Sequence, residues 1–207
     1  MNDQPDRLRR VIEAIDAANA KDPHLVEEVG RQVPAEWLYG QRMSAALADL
    51  IPEASEALTI AARGQHIERW TSPRIAYPVG RMGYLRWRTD LKTYHAQRLA
   101  EIMAKDGYDQ ETIDRVGALV RKERLKQDAE VQALEDVVCV VFLTHYLANF
   151  AAKHDDDKVA DVLAKTWRKM SSQGHAAAES LGLPEHVLAL LQTGLARLDE
   201  APRERRV

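Results

Sequence analysis

Ten consecutive residues constrain this chain more than any others: Leu134-Glu135-Asp136-Val137-Val138-Cys139-Val140-Val141-Phe142-Leu143. Two carboxylates lead directly into a run without a polar side chain. Burying a carboxylate is costly unless it is paired or bound to a metal. The apolar run must be covered on every side, so other elements have to wrap it. A Val-rich stretch can form a strand. Here helical spacing flanks the run from Asp128 to Phe150, and that length fits a buried helix.

The rest of the chain repeats at three and four residues. Leu8, Val11, Ile12, Ile15 and Ala18 define one face of a helix over 6–19. Lys21-Asp22-Pro23 ends it, with Asp22 or a neighbour placed to cap the next segment. Further helices are expected over 37–50, over 55–63 with Ser55 as N-cap, over 84–105 with Gly107 as the stop, and over 109–122 capped by Asp109. The last two are expected over 156–170 and 184–198. Strong alternating patterns are absent, and Gly and Pro number only 10 and 8. Pro73, Pro78, Gly80 and Gly83 mark residues 71–83 as a structured loop. The expected fold class is all-α: one compact multi-helix domain over 1–199, with a charged tail over 200–207.

Composition sets the outer limits. With 45% hydrophobic and 29% charged residues over 207 positions, the chain can bury a core and is not expected to be disordered. A net charge of −3 argues against a dedicated nucleic-acid binder. The single cysteine, Cys139, allows no internal disulfide. No apolar run is long enough to span a bilayer, and the first residues carry acids where a signal peptide carries bases. A cytoplasmic protein without a membrane partner is expected, and a homodimer is left open.

Three residues have a composition suited to metal chemistry. His66 lies in Gln65-His66-Ile67-Glu68-Arg69-Trp70, late on a helix. His95 lies inside the next long helix, and Asp136 stands at the entry to the buried one. Two imidazoles and a carboxylate suit a divalent transition metal such as Mn, Fe, Co or Zn, which could activate water. The alternative is structural: the histidines hydrogen-bond in the core and Asp136 pairs with an arginine.

A second cluster is cationic. Arg63, Arg69, Arg74, Arg81, Arg86 and Arg88 surround the Pro/Gly loop, interleaved with Trp70, Tyr77, Tyr84 and Trp87. Arginine forks bind phosphate bidentately and aromatics can stack on a base or sugar. Arg69, Arg81 and Arg88 are the candidate anion-binding residues, and Glu68 or Glu135 could move protons. The alternative is a solvated, salt-bridged surface. Asp155-Asp156-Asp157 could bind a cation, but lacks EF-hand spacing and reads better as a helix N-terminus.

These motifs carry two resemblances. His66-Ile67-Glu68-Arg69 is similar to the first-histidine helix of the HD-domain metal-dependent phosphohydrolases, and residues 128–143 are similar to that superfamily's last acidic helix. The resemblance implies an HD-like domain, with His66, His95 and Asp136 as metal ligands and a phosphorylated small molecule or nucleotide as substrate. Ala96 stands where the superfamily has a metal-bridging Asp. A non-catalytic anion-binding or regulatory module therefore stands as the alternative, with an iron oxygenase as a third reading. Over nearly its whole length the chain resembles a bacterial and fungal domain-of-unknown-function family, number 4202. The resemblance rests on Tyr39-Gly40-Gln41-Arg42-Met43, the Gln65–Trp70 and Tyr77–Tyr84 segments, Leu134-Glu135-Asp136 and Lys165-Thr166-Trp167-Arg168-Lys169-Met170-Ser171. Lys169-Met170-Ser171-Ser172-Gln173 also resembles the K-M-S-K-S loop of class I synthetases, but the second lysine, the companion histidine motif and βαβ alternation are missing.

Overall fold

Helices dominate because the periodic segments carry good helix formers and are closed by side-chain caps. In the computed structural model, which describes residues 4–200, the chain is all-α with one small hairpin. The elements are α1 (Gln4–Asn19), β1 (Leu25–Glu28), β2 (Arg31–Pro34), α2 (Ala35–Leu50), α3 (Glu56–Arg63), α4 (Arg81–Lys105), α5 (Gln110–Arg121), α6 (Ala129–His145), α7 (Leu147–Ala151), α8 (Asp156–Lys169), α9 (Ser172–Ser180) and α10 (Glu185–Glu200). Ser55 caps α3 by accepting from Leu58 N–H, and Asp109 caps α5 by accepting from Thr112 N–H. Asp155 does the same for α8, so the acidic triplet is a helix start. The charged tail expected over 200–207 lies outside the described residues, apart from Glu200 at the end of α10.

The chain divides after Leu134 into two compact units. The first holds α1 to α5, the hairpin and the start of α6. The hairpin was not expected from the sequence. Its strands pair antiparallel with Glu28 opposite Arg31, leaving Val29-Gly30 as a two-residue turn. Both turn residues have positive φ, 49° and 74°, as a type I′ turn requires. Asp22 is buried and accepts from the amides of His24 and Glu36. It thereby caps α2, where Pro34 offers no side-chain hydrogen bond.

In the second unit, Cys139, Leu143, Leu147, Leu163 and Leu191 share one apolar core. The long helix expected over 128–150 is two helices. Tyr146 takes φ −121° and separates α6 from α7, although amide bonds run on through Tyr146 N–H to Phe142 and Phe150 N–H to Tyr146. Helices α8 and α10 pack closely enough that a Cβ on Gly194 would stand 2.2 Å from the Ala160 carbonyl oxygen. Gly194→Ala is therefore expected to cost about 1–3 kcal/mol in chemical denaturation, because backbone must move to admit a methyl group. A neutral result would overturn this close approach.

Candidate functional site

The site is assembled where α3 ends against α4. Helix α3 stops at Arg63, and Gly64 follows because a Cβ there would lie 2.4 Å from Leu99. His66 is thus beyond the helix, not late on it. Residues 64–72 run on as tight turns, with Ile67 N–H bonded to Gly64 and Arg69 N–H bonded to His66. Ile67 is fully buried, and this anchors the turn. On α4, Leu91, His95, Leu99 and Met103 form the buried face, so His95 replaces an apolar residue in a helical stripe.

The two elements are joined by one hydrogen bond. Nδ1 of His95 lies 2.8 Å from the Ile67 carbonyl oxygen. A carbonyl only accepts, so Nδ1 carries the proton and donates. Burial, with His66 adding to it, lowers the His95 pKa to about 3, so the ring is neutral. Nε2 is then a bare acceptor. It is buried and makes no hydrogen bond with the protein.

His66 is held from two sides. Its ring stacks on Tyr39 at 4.0 Å, and Nδ1 lies 3.4 Å from Oε2 of Glu36. Burial first, then the positive charges of Arg69, Lys122 and Arg88, hold this imidazole well below its ordinary pKa. Burial also pushes Glu36 up to about 7, against the pull of Arg69. The centres of the two imidazoles are 6.2 Å apart.

Around them lies a partly open pocket of about 40 Å³. Gln65, His66 and His95 line it together with Arg69, Arg88, Lys92 and Lys122. Four cationic side chains and no carboxylate line the pocket, in a chain whose net charge is −3. Arg69 lies over the Trp87 ring, and Arg88 over Tyr84, to whose hydroxyl it donates.

The expected site residues are thus sorted. His66, His95, Arg69 and Arg88 come together. Arg81 is exposed at the start of α4 and does not line the pocket. Arg63 is buried in a two-pronged pair with Asp16, and Arg74 donates to the carbonyls of Tyr77, Pro78 and Gly80, stapling the loop. Glu68 accepts from Tyr94 and Arg98, which hold its carboxyl below the usual range despite the opposing effect of burial. The expected aromatics are also engaged: Trp87 is buried and donates to the Ser72 carbonyl. Lys92 was legible, since residues 88, 92 and 95 share a helix face. Lys122 was not. It reaches the pocket from the left-handed C-cap of α5, at φ 60°.

Glu135 and Asp136 belong to the second unit. Glu135 is buried, with Lys169 Nζ at 3.6 Å. Asp136 is 2% exposed. One of its oxygens accepts from Ser171 N–H at 2.8 Å and the other from the Ser171 hydroxyl. Ser171 in turn caps α9 by accepting from Gly174 N–H. The Lys169-Met170-Ser171 segment is therefore a helix start docked on a buried carboxylate.

His66 and His95 lie in the first unit and Asp136 in the second. Both carboxylate oxygens of Asp136 are committed to Ser171, and Glu36 stands at the Nδ1 side of His66. Among the described residues, no three His, Cys, Asp or Glu side chains are grouped to hold a metal ion.

The sequence profile of the family described as "Domain of unknown function (DUF4202)" matches residues 9–191. The chain belongs to that family. Comparisons with curated proteins and with solved structures return no match. No described helix is long and apolar enough to cross a membrane.

The burial of Glu36 gives stability a pH dependence. Its pKa is raised from an ordinary 4.5, so its stabilising protonated state is complete below pH 4.5 and lost as pH rises through about 7. Glu36→Gln is expected to stabilise at pH 8, by up to about 3 kcal/mol, and to change little at pH 4.5. Thermal melts across that range check it, and a constant offset would overturn it. Asp136→Ala is expected to cost about 1–3 kcal/mol by stranding the Ser171 amide. In a double-mutant cycle with Ser171→Ala the losses are expected not to add. Additive losses would show that the pair does not act as a unit.

Proposed function

We propose that this chain binds a small phosphorylated molecule in the pocket of its first unit, as a recognition module without a metal centre. The observation that carries the reading is the pairing of four cationic side chains with a buried, neutral His95 whose Nε2 has no partner in the protein. Arg69 and Arg88 supply planar forks suited to phosphate oxygens, and Lys92 and Lys122 supply compact charges. The two neutral imidazoles add no charge of their own. A local positive field in a chain of net negative charge gathers small anions.

A metal-dependent phosphohydrolase of the HD type is supported less well. It calls for several metal-ligating side chains grouped together, and among the described residues no three His, Cys, Asp or Glu side chains are so grouped. A nucleotide is also less well supported than a simpler phosphate ester, since Trp87 is buried and donates to the Ser72 carbonyl, and Tyr39 stacks on His66. The lone cysteine supports a cytoplasmic setting.

Calorimetric titration of the full chain with inorganic phosphate and small phosphate monoesters tests the reading. Binding is expected to weaken as salt is raised. Arg69→Ala and Arg88→Ala are each expected to weaken it about 10- to 100-fold, the range for a lost charge-assisted hydrogen bond. Absence of binding by every phosphate compound at millimolar concentration would overturn the proposal.

A further inference from the structure

Two of the residues that line the pocket with the cations, His95 and Gln65, carry buried acceptors, and these ask for something an anion alone cannot give. His95 is 3% exposed, with Nδ1 donating to Ile67 and Nε2 unmet. Gln65, 6% exposed and lining the same pocket, has a buried Oε1 that is likewise unmet. Both atoms are acceptors. A phosphate oxygen without a proton would set lone pair against lone pair there. In solution a water molecule can donate to such an atom, and a ligand that displaces the water must donate in its place.

We infer that the ligand carries a hydroxyl donor beside its anionic group, and that the pocket selects hydroxylated phosphate monoesters, such as polyol or sugar phosphates, over phosphate esters of plain alkyl chains. The inference rests on the anion-binding reading above and adds a chemical class to it. The division of labour is clear from the residue types. Arg69, Arg88, Lys92 and Lys122 only donate, so they hold the phosphate oxygens and do not tell one ester from another. Nε2 of His95 only accepts, because its proton is fixed on the other ring nitrogen. It therefore reads the part of the ligand that is not phosphate. A site that hydrogen-bonds a ligand hydroxyl rejects an analogue lacking it more strongly than a pocket that reads shape alone.

Glycerol phosphate and propyl phosphate make the test. At pH 8 both are doubly ionised, so neither has a P–OH donor, and they differ in their hydroxyl groups. Titrated into the full chain, glycerol phosphate is expected to bind about tenfold tighter or more, the consequence of meeting a buried acceptor. His95→Leu is expected to bring the two to equal affinity. Nitrogen NMR of the imidazoles in the parent chain gives a readout that does not depend on the variant folding. The unprotonated ring nitrogen of His95 is expected to shift with glycerol phosphate and to stay in place with propyl phosphate. Equal affinities in the parent would overturn the selection and leave phosphate binding standing. A preference that survives in His95→Leu, or an unmoved His95 nitrogen, would overturn the role of Nε2. Failure of both esters and of inorganic phosphate to bind would remove the anion reading and this inference together.

Discussion

The hydrogen bond from Nδ1 of His95 to the Ile67 carbonyl oxygen sets most of the chemistry open to this site. It ties α4 to the turn that comes after α3, across a gap kept small by Gly64 against Leu99. It also fixes a tautomer. A histidine with its proton free to move could donate or accept on either edge. One held by a buried carbonyl has a single remaining role, and burial keeps it in that role at every physiological pH. The buried stripe of α4 and the fully buried Ile67 hold the two partners in place, so packing determines the chemistry of the floor.

Electrostatics around the pocket depend on the same geometry. Three cations close to His66 disfavour a charged imidazole and reinforce the effect of burial. Glu36, behind the ring, feels burial most, which outweighs the pull of Arg69 and is reinforced by the neighbouring Asp22, and so it stays part-protonated near neutrality. The result is a positive rim over a neutral floor. Under the function proposed above, charge admits the anion and the imidazole of His95 selects among esters.

Much of the architecture was legible from periodicity, because long amphipathic helices with Ser and Asp caps leave strong local marks. The hairpin was not, because its strands are mostly exposed and carry three charged residues in eight, and its decisive cue is a two-residue turn containing Val29, a residue that seldom takes positive φ. Helix α9 leaves no local mark for a related reason. Ser172–Ser180 has few large apolar residues, and it is begun by Ser171 bound to a carboxylate thirty-five positions earlier. At the pocket, residue type was enough to mark His66, His95, Arg69 and Arg88. Lys122 and Glu36 arrive through tertiary packing, for which a single sequence carries no local sign.

The acid pair at the head of the apolar run shows why residue type and pattern can indicate a need without naming the group that meets it. A buried carboxylate requires partners, and Asp136 has them. Those partners are a backbone amide and a hydroxyl at the start of a helix, and a Cβ on Gly174 would stand 2.7 Å from the same carboxylate. A helix N-terminus offers a carboxylate both hydrogen bonds and a favourable dipole, much as a metal would offer it charge and coordination. The Lys-Met-Ser segment and the Leu-Glu-Asp segment thus explain one another as two sides of a structural contact in the second unit. His66 and His95 belong to the first unit and take no part in that contact. As neutral rings under a cationic rim they are suited to reading a ligand, and at a pKa of about 3 His95 is a poor donor of protons to a leaving group.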